Sequence, residues 1–184
     1  MTTILGISGS LRKSSLNTSL LRAAVELMPD GATLDATGID GIPLYNGDDE
    51  AALGLPPAVV ELKHKLLAAD GLLLVTPEYN NSIPGAFKNA IDWMSRPSSD
   101  IKSHFGDKPV AVIGASPGGF GTILAQDAWL PVLRTLGMSP WFGGRLMVSR
   151  AHTLMDADLA LTDQAIRDRV SGFLAGFVHF VKGA

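Results

Sequence analysis

Three short stretches of this sequence hold most of the side chains suited to chemistry. In "SGSLRKSSLN" (8–17), Ser10, Ser14, Ser15 and Asn17 stand with Arg12 and Lys13, and Arg22 follows before the first acid, Glu26. Hydroxyls and an amide beside the unpaired N–H groups of a helix start, joined by a guanidinium, make a corner for phosphate. One N-cap serine would account for one of these residues and leave the others unexplained. In "PEYNNSI" (77–83), Glu78, Tyr79, Asn80 and Asn81 bring together a carboxylate, a phenol and two amides. Tyr79 offers a π-face to a flat ring, and the amides offer donors and acceptors. The same residues can instead form a surface turn in which Pro77 and the Asn pair only set the backbone. In "SPGGFG" (116–121), Ser116 with Gly118 and Gly119 can make a backbone cradle around a flat ligand.

Rival chemistries fail on specific residues. Gly114 to Gly118 reads G-x-S-x-G between an apolar run and a helix, the pattern of a hydrolase nucleophile. That chemistry takes a donor from the backbone N–H directly after the serine, and Pro117 has none. A triad histidine at His152 or His179 would not restore it. Neither G-x-G-x-x-G nor G-K-[ST] occurs, so the phosphate belongs to neither a Rossmann dinucleotide nor a P-loop triphosphate. His64, His104, His152 and His179 have no ligand-like spacing, so no metal site is expected. Trp93, Trp129 and Trp141 are expected in the core or at subunit contacts. Lys88 and Asp92, four apart on one helix, read as a surface pair. No residue is assigned as a catalytic acid or base.

These stretches need rigid elements to hold them. Ile4–Ser8 reads as a buried strand, and Leu16–Met28 as a helix with Leu16, Leu20, Leu21, Ala24 and Val25 on one face. Ala32–Asp35 is a weak strand candidate. Between Pro29 and Glu50 the chain has six acids and no Lys or Arg, so most of it reads as exposed loop. Pro56-Pro57 opens a helix through Ala69. "GLLLVT" (71–76) and Val110–Ala115 are apolar throughout, the mark of strands buried on both faces. Pro84 opens a helix to about Met94, and another spans about Thr122–Leu136, with Pro131 expected to kink or break it. A strand lies somewhere in Met138–Val148. The last helix, from about Thr162, carries a stripe of Ile166, Val170, Phe173, Phe177 and Val181. Doubly covered strands alternating with helices require a parallel sheet with right-handed crossovers. The expected fold is a three-layer α/β sandwich of five parallel strands, a single domain over residues 1–184. In such a sheet ligands bind beyond the carboxyl ends of the strands, where strand order reverses. That rule selects the three stretches above.

Bulk properties narrow the partners. The 184 residues suffice for one domain with a full core. A net charge of −3 provides no basic field for nucleic acid. The sequence has no cysteine, which removes disulfides and thiolate chemistry and fits a reducing, cytoplasmic compartment. "MTTILGISGS" lacks the features of a signal peptide, and no apolar run approaches membrane-spanning length.

At its loops the sequence resembles the NADPH-dependent FMN reductase family, a flavodoxin-like group with quinone, azo-dye and chromate reductases. The resemblance rests on "GSLRKSSLN" (9–17), "PLYN" (43–46), "TPEYNNSIPGAFKNAIDW" (76–93) and "KPVAVIGASPGGFG" (108–121). It implies that Ser10, Leu11, Arg12, Ser15, Leu16 and Asn17 hold the FMN phosphate. It implies further that Pro77, Glu78, Tyr79 and Asn80 line the isoalloxazine, with Ser116, Gly118 and Gly119 at the ring's other edge. The implied activity is hydride transfer from NADPH through FMN to a small-molecule electron acceptor, in a homodimer or homotetramer. A flavodoxin-type electron carrier, binding FMN without oxidising NADPH, is the rival. Many relatives have Gly at the position of Ser14, so a positive φ there would strain this chain.

Overall fold

The computed structural model describes residues 1–184. Strand β1 (Thr2–Ser8) leads into helix α1 (Leu16–Glu26), and β2 (Ala32–Thr37) follows. Helices α2 (Gly47–Leu53) and α3 (Pro57–Ala68) precede β3 (Gly71–Val75). Next come α4 (Gly85–Met94), the short α5 (Ile101–His104) and β4 (Pro109–Ala115). Helix α6 (Ile123–Thr135), the fragments β5 (Ser139–Pro140) and β6 (Met147–Val148), and α7 (Gln164–Lys182) complete the chain.

All strand pairs are parallel, in the order β2-β1-β3-β4-β5, and β6 also pairs with β4. Strand order therefore reverses between β1 and β3, so the switch point lies above those two strands. The period-two alternation of the strands divides the core into two layers. Ile4, Leu73, Val75, Ala111 and Ile113 pack with Leu20 and Leu21 of α1 and with Phe173 and Phe177 of α7. Leu5, Ile7, Leu72 and Leu74 face the other way, against Leu62 and Leu66 of α3, Phe87 and Ile91 of α4, and Trp129 and Leu133 of α6. Trp93 and Trp129 are buried, as core tryptophans should be. The three-layer sandwich of parallel strands read from the sequence is the fold.

Two local expectations are corrected and a third is narrowed. Val25 is exposed, because α1 turns only Leu20, Leu21, Ala23 and Ala24 fully onto the sheet. The segment 29–50, read mostly as loop, contains β2 and the start of α2. Helix α2 buries none of its residues, so apolar periodicity could not reveal it. Its signals are the Asn46 cap on the Asp48 N–H and acids in the first turn. Of the two outcomes expected at Pro131, a kink or a break, the break does not occur, since α6 is continuous from Ile123 to Thr135.

The fifth strand of the sandwich is interrupted. Ser139–Pro140 pairs with the start of β4 and Met147–Val148 with its end, while 141–146 swings out between them. Beneath α6 this leaves an apolar cavity of about 380 Å³, walled by Val110, Val112, Leu130, Trp141, Phe142 and Met147. The cavity lies beside the sheet edge rather than at the strand ends.

Candidate functional site

The parallel ladder delivers three loops to one edge. The Gly9 N–H donates to the Val75 carbonyl (3.0 Å) and the Thr76 N–H to the Ile113 carbonyl (2.8 Å), so β1, β3 and β4 end in step. Gly9 has an internal reason to be glycine, since a Cβ there would lie 2.0 Å from the Phe87 ring. The loop 9–15 thus leaves β1 tight against α4 and climbs to the start of α1.

At that start the structure divides the polar residues by task. Ser15 is the N-cap of α1, its Oγ accepting from the Thr18 N–H (3.1 Å). Asn17 is buried. Its Nδ2 donates to the Ala115 carbonyl (2.9 Å) and its Oδ1 accepts the Ala115 N–H (2.8 Å). That pair staples α1 to the end of β4. Ser8 and Thr18 share a hydroxyl–hydroxyl bond of 2.9 Å. Ser10 Oγ accepts from the Arg12 N–H (3.3 Å). By contrast, the backbone N–H groups of Leu11, Lys13, Ser14 and Ser15 find no acceptor within the chain. The first turn of α1 contains no acid. A helix start with several free donors and no carboxylate has the geometry that suits an anion. Ser14 is not among the residues with positive φ, so the strain feared at that position is absent.

The second loop is a tight hairpin turn. Tyr79 and Ser82 exchange both backbone hydrogen bonds (3.2 and 3.1 Å), and Asn80 and Asn81 between them have φ of 50° and 61°. Two successive left-handed residues make a type I′ turn, which asparagine tolerates well. The Asn pair therefore does set the backbone, and the turn lifts Tyr79 into solvent, 48% exposed. Glu78 reaches across to α6: its Oε2 accepts the Leu124 and Ala125 N–H groups, both at 2.9 Å. Thr122, the N-cap residue, makes no side-chain cap of its own, so Glu78 caps that helix from outside. Pro77 is buried beneath the turn, next to Thr76, whose Oγ1 accepts from Trp129 Nε1 (3.1 Å).

The third loop is held by the segment after β6. The Ser116 N–H donates to the Val148 carbonyl (3.0 Å), the Arg150 N–H to Gly118 O (2.9 Å) and the Ala151 N–H to Ser116 O (3.0 Å). Ser116 Oγ makes only a long contact to the Gly118 carbonyl (3.5 Å), with no histidine partner. The hydrolase pattern is thus unsupported by geometry as well as by Pro117. Gly121 is needed by the fold, having φ +64° and Met147 pressed against it. Gly118 and Gly119 are not: neither has positive φ, and a Cβ would meet nothing closer than 3.8 Å at Gly118 and nothing within 4 Å at Gly119. Bare backbone facing open space suits the close approach of a flat ligand.

All the predicted site residues thus gather at one edge, on the ends of β1, β3 and β4. Their parts differ: Ser15, Asn17 and Glu78 are engaged within the chain, whereas Leu11, Arg12, Tyr79, Gly118 and Gly119 are exposed. Arg12, Lys13 and Arg22, grouped by sequence with the phosphate corner, also line a concavity. It is a groove of about 360 Å³ on the outer flank of the first loop, toward β2. Its sequence signal was the run of three bases before the first acid. The structure contains no cluster of His, Cys, Asp or Glu able to hold a metal, and no helix long and apolar enough to cross a membrane.

The chain is similar to known proteins along nearly its whole length. Residues 2–153 match the family model of NADPH-dependent FMN reductases. An NAD(P)H-dependent FMN reductase of Pseudomonas aeruginosa is 45% identical over 179 residues, covering 97% of this chain and 95% of that protein. A 2-hydroxy-1,4-benzoquinone reductase of a Burkholderia species is 35% identical over 176 residues, covering 96% and 94%. Among solved structures, the flavoenzyme NAD(P)H:(acceptor) oxidoreductase FerB of Paracoccus denitrificans superposes with a TM-score of 0.87 at 34% identity, over 100% of this chain and 98% of that one.

Proposed function

The chain belongs to the NADPH-dependent FMN reductase family, and from that premise we propose how its residues serve an NAD(P)H-dependent reduction of quinones and similar small acceptors. The observation that carries the reading is the set of free N–H groups at Leu11, Lys13, Ser14 and Ser15, on an acid-free helix start. These donors hold the terminal phosphate of FMN, and Arg12 beside them adds a permanent charge. Pro77, Glu78, Tyr79 and Asn80 border the ring on one side; Ser116, Gly118 and Gly119 border it on the other. FMN, when bound, supplies the hydride acceptor and donor chemistry.

The chain's own contribution is position. Asn17 locks the phosphate loop to the third loop through Ala115, and Glu78 locks the second loop to the third through α6. Three loops cross-tied in this way keep one crevice in fixed shape while different substrates pass through it. The exposed Tyr79 and Phe120 flank that crevice, so nicotinamide and acceptor meet an apolar rim. Exposed Phe120, Ile123 and Leu124 around the start of α6, with exposed Phe142 of the interrupted fifth strand, support a homo-oligomer, dimer or tetramer, as the working state. A cytoplasmic setting accompanies this reading, in keeping with the cysteine-free composition.

The test is to denature the purified protein, identify the released flavin, and assay NADPH oxidation with benzoquinone. FMN and rapid oxidation are expected. FAD at full occupancy would overturn the phosphate assignment, and bound FMN without NADPH oxidation would make the protein an electron carrier instead.

A further inference from the structure

The groove on the outer flank of the first loop shares Ser10, Leu11, Arg12 and Lys13 with the phosphate corner and continues past it to Arg22, Thr37 and Asp40. It is lined by Ser8, Ser10, Arg12, Lys13, Thr18 and Arg22 on one wall, with Thr37 and Asp40 opposite. In the strand order β2-β1-β3-β4 it opens between β1 and β2, on the far side of β1 from the ring loops. At the usual strand spacing, the groove lies about 10 Å across the sheet from the β3–β4 boundary. An extended dinucleotide, with two riboses and a pyrophosphate between its bases, spans such a distance. A mononucleotide phosphate held at the start of α1 does not extend past it.

The charges of the groove are unspent. Arg12, Lys13 and Arg22 enter none of the ion pairs of the molecule. Asp40, the one carboxylate on the lining, is also unpaired. Three cations face one anion in a concave space, beside the hydroxyls of Ser10, Thr18 and Thr37, so the groove suits a phosphate dianion. A nucleic acid is disfavoured by the size of the groove and by a net charge of −3. NADPH differs from NADH only by a 2′-phosphate on the adenosine ribose. That group is the part of the co-substrate a basic groove can recognise and a flavin pocket cannot.

We propose that this groove receives the 2′-phosphate of NADPH, and that Lys13 and Arg22 set the preference for NADPH over NADH. The assignment rests on the oxidoreductase reading above. Arg12 stands at the boundary, between the free N–H groups of the phosphate corner and the groove, and serves both anions.

The experiment uses FMN-loaded protein and two probes, adenosine 2′,5′-bisphosphate and 5′-AMP, in isothermal titration calorimetry. The wild type should bind the bisphosphate more tightly. In the double variant Lys13→Gln/Arg22→Gln the advantage should fall by roughly 10- to 100-fold, the loss expected when hydrogen bonds to a charged group are removed. The ratio of its kcat/KM for NADPH to that for NADH should fall in parallel. Asp40→Asn, which removes the only anion from the lining, should tighten bisphosphate binding. A wild type that does not distinguish the two probes overturns the proposal, as does a double variant that still distinguishes them. A double variant that loses FMN while keeping the bisphosphate advantage would assign the groove to the flavin phosphate. Failure of the oxidoreductase reading looks different: neither nucleotide is oxidised although FMN is bound, and the calorimetry still decides the groove.

Discussion

Arg12 and Asn17 belong to one loop and helix start, yet they answer to different partners. Arg12 is exposed and has no partner in the chain, so its guanidinium is free for an anion. A charge-assisted hydrogen bond to phosphate contributes about 1.5–3 kcal/mol. Arg12→Ala should therefore weaken FMN binding by roughly 10- to 150-fold, as read by flavin fluorescence titration. Riboflavin, which lacks the phosphate, should bind nearly as before; equal losses would show that Arg12 acts through folding. Asn17 is the converse. Its removal leaves the buried N–H and C=O of Ala115 without partners, at a cost of about 2–4 kcal/mol. Asn17→Ala should lower the urea midpoint and weaken FMN and riboflavin alike. Sequence could place both residues at the corner, because a helix start between two apolar runs was legible. It could not tell ligand from staple, because the partner of Asn17 lies at Ala115, in an element far along the chain.

Elements were legible in proportion to how much apolar surface they bury. "GLLLVT" and the stripe of α7 announced themselves, since burial on both faces or along one helical face leaves a period in the sequence. Helix α2 left none. It is held by polar contacts at its edge: Tyr45 donates its hydroxyl to Glu50 Oε2 (2.9 Å) and Arg96 Nε donates to the same oxygen (3.0 Å). Asn89 and Trp93 of α4 both donate to the Pro43 carbonyl, at 2.8 and 2.9 Å. The Tyr45 hydroxyl bond, and then Arg96, hold the Glu50 carboxyl below its ordinary 4.5, while the bond to Glu50 raises Tyr45 above its ordinary 10.0. A depressed carboxyl stabilises fully above its unfolded value and loses this as pH falls through the folded one. A raised phenol stabilises below its unfolded value and loses this as pH rises through the folded one. The 43–50 strap should thus be tightest between about pH 5 and pH 9. Glu50→Gln should flatten both limbs of the plot of melting temperature against pH. Unchanged limbs in that variant would mean the strap is held by the Asn89 and Trp93 bonds alone.

At the scale of the whole molecule, three cross-tied loops leave one crevice for every partner of the flavin. In the reading proposed above the crevice lies at the switch point between β1 and β3, and the Asn17 and Glu78 hydrogen bonds tie its loops together. Nicotinamide and quinone are both flat and must both lie against the ring to exchange a hydride. They cannot occupy one face together, so the oxidised nucleotide must leave before the quinone enters. We therefore predict ping-pong kinetics. Initial-rate plots against NADPH at several fixed quinone concentrations should be parallel lines, and excess quinone should inhibit competitively against NADPH. The groove beside β2 does not alter this expectation, because it holds only the far end of the dinucleotide. Intersecting lines would require both substrates to be bound at once. The second would then need a place outside the crevice, and the apolar cavity under α6, left by the interrupted fifth strand, would be the place to look.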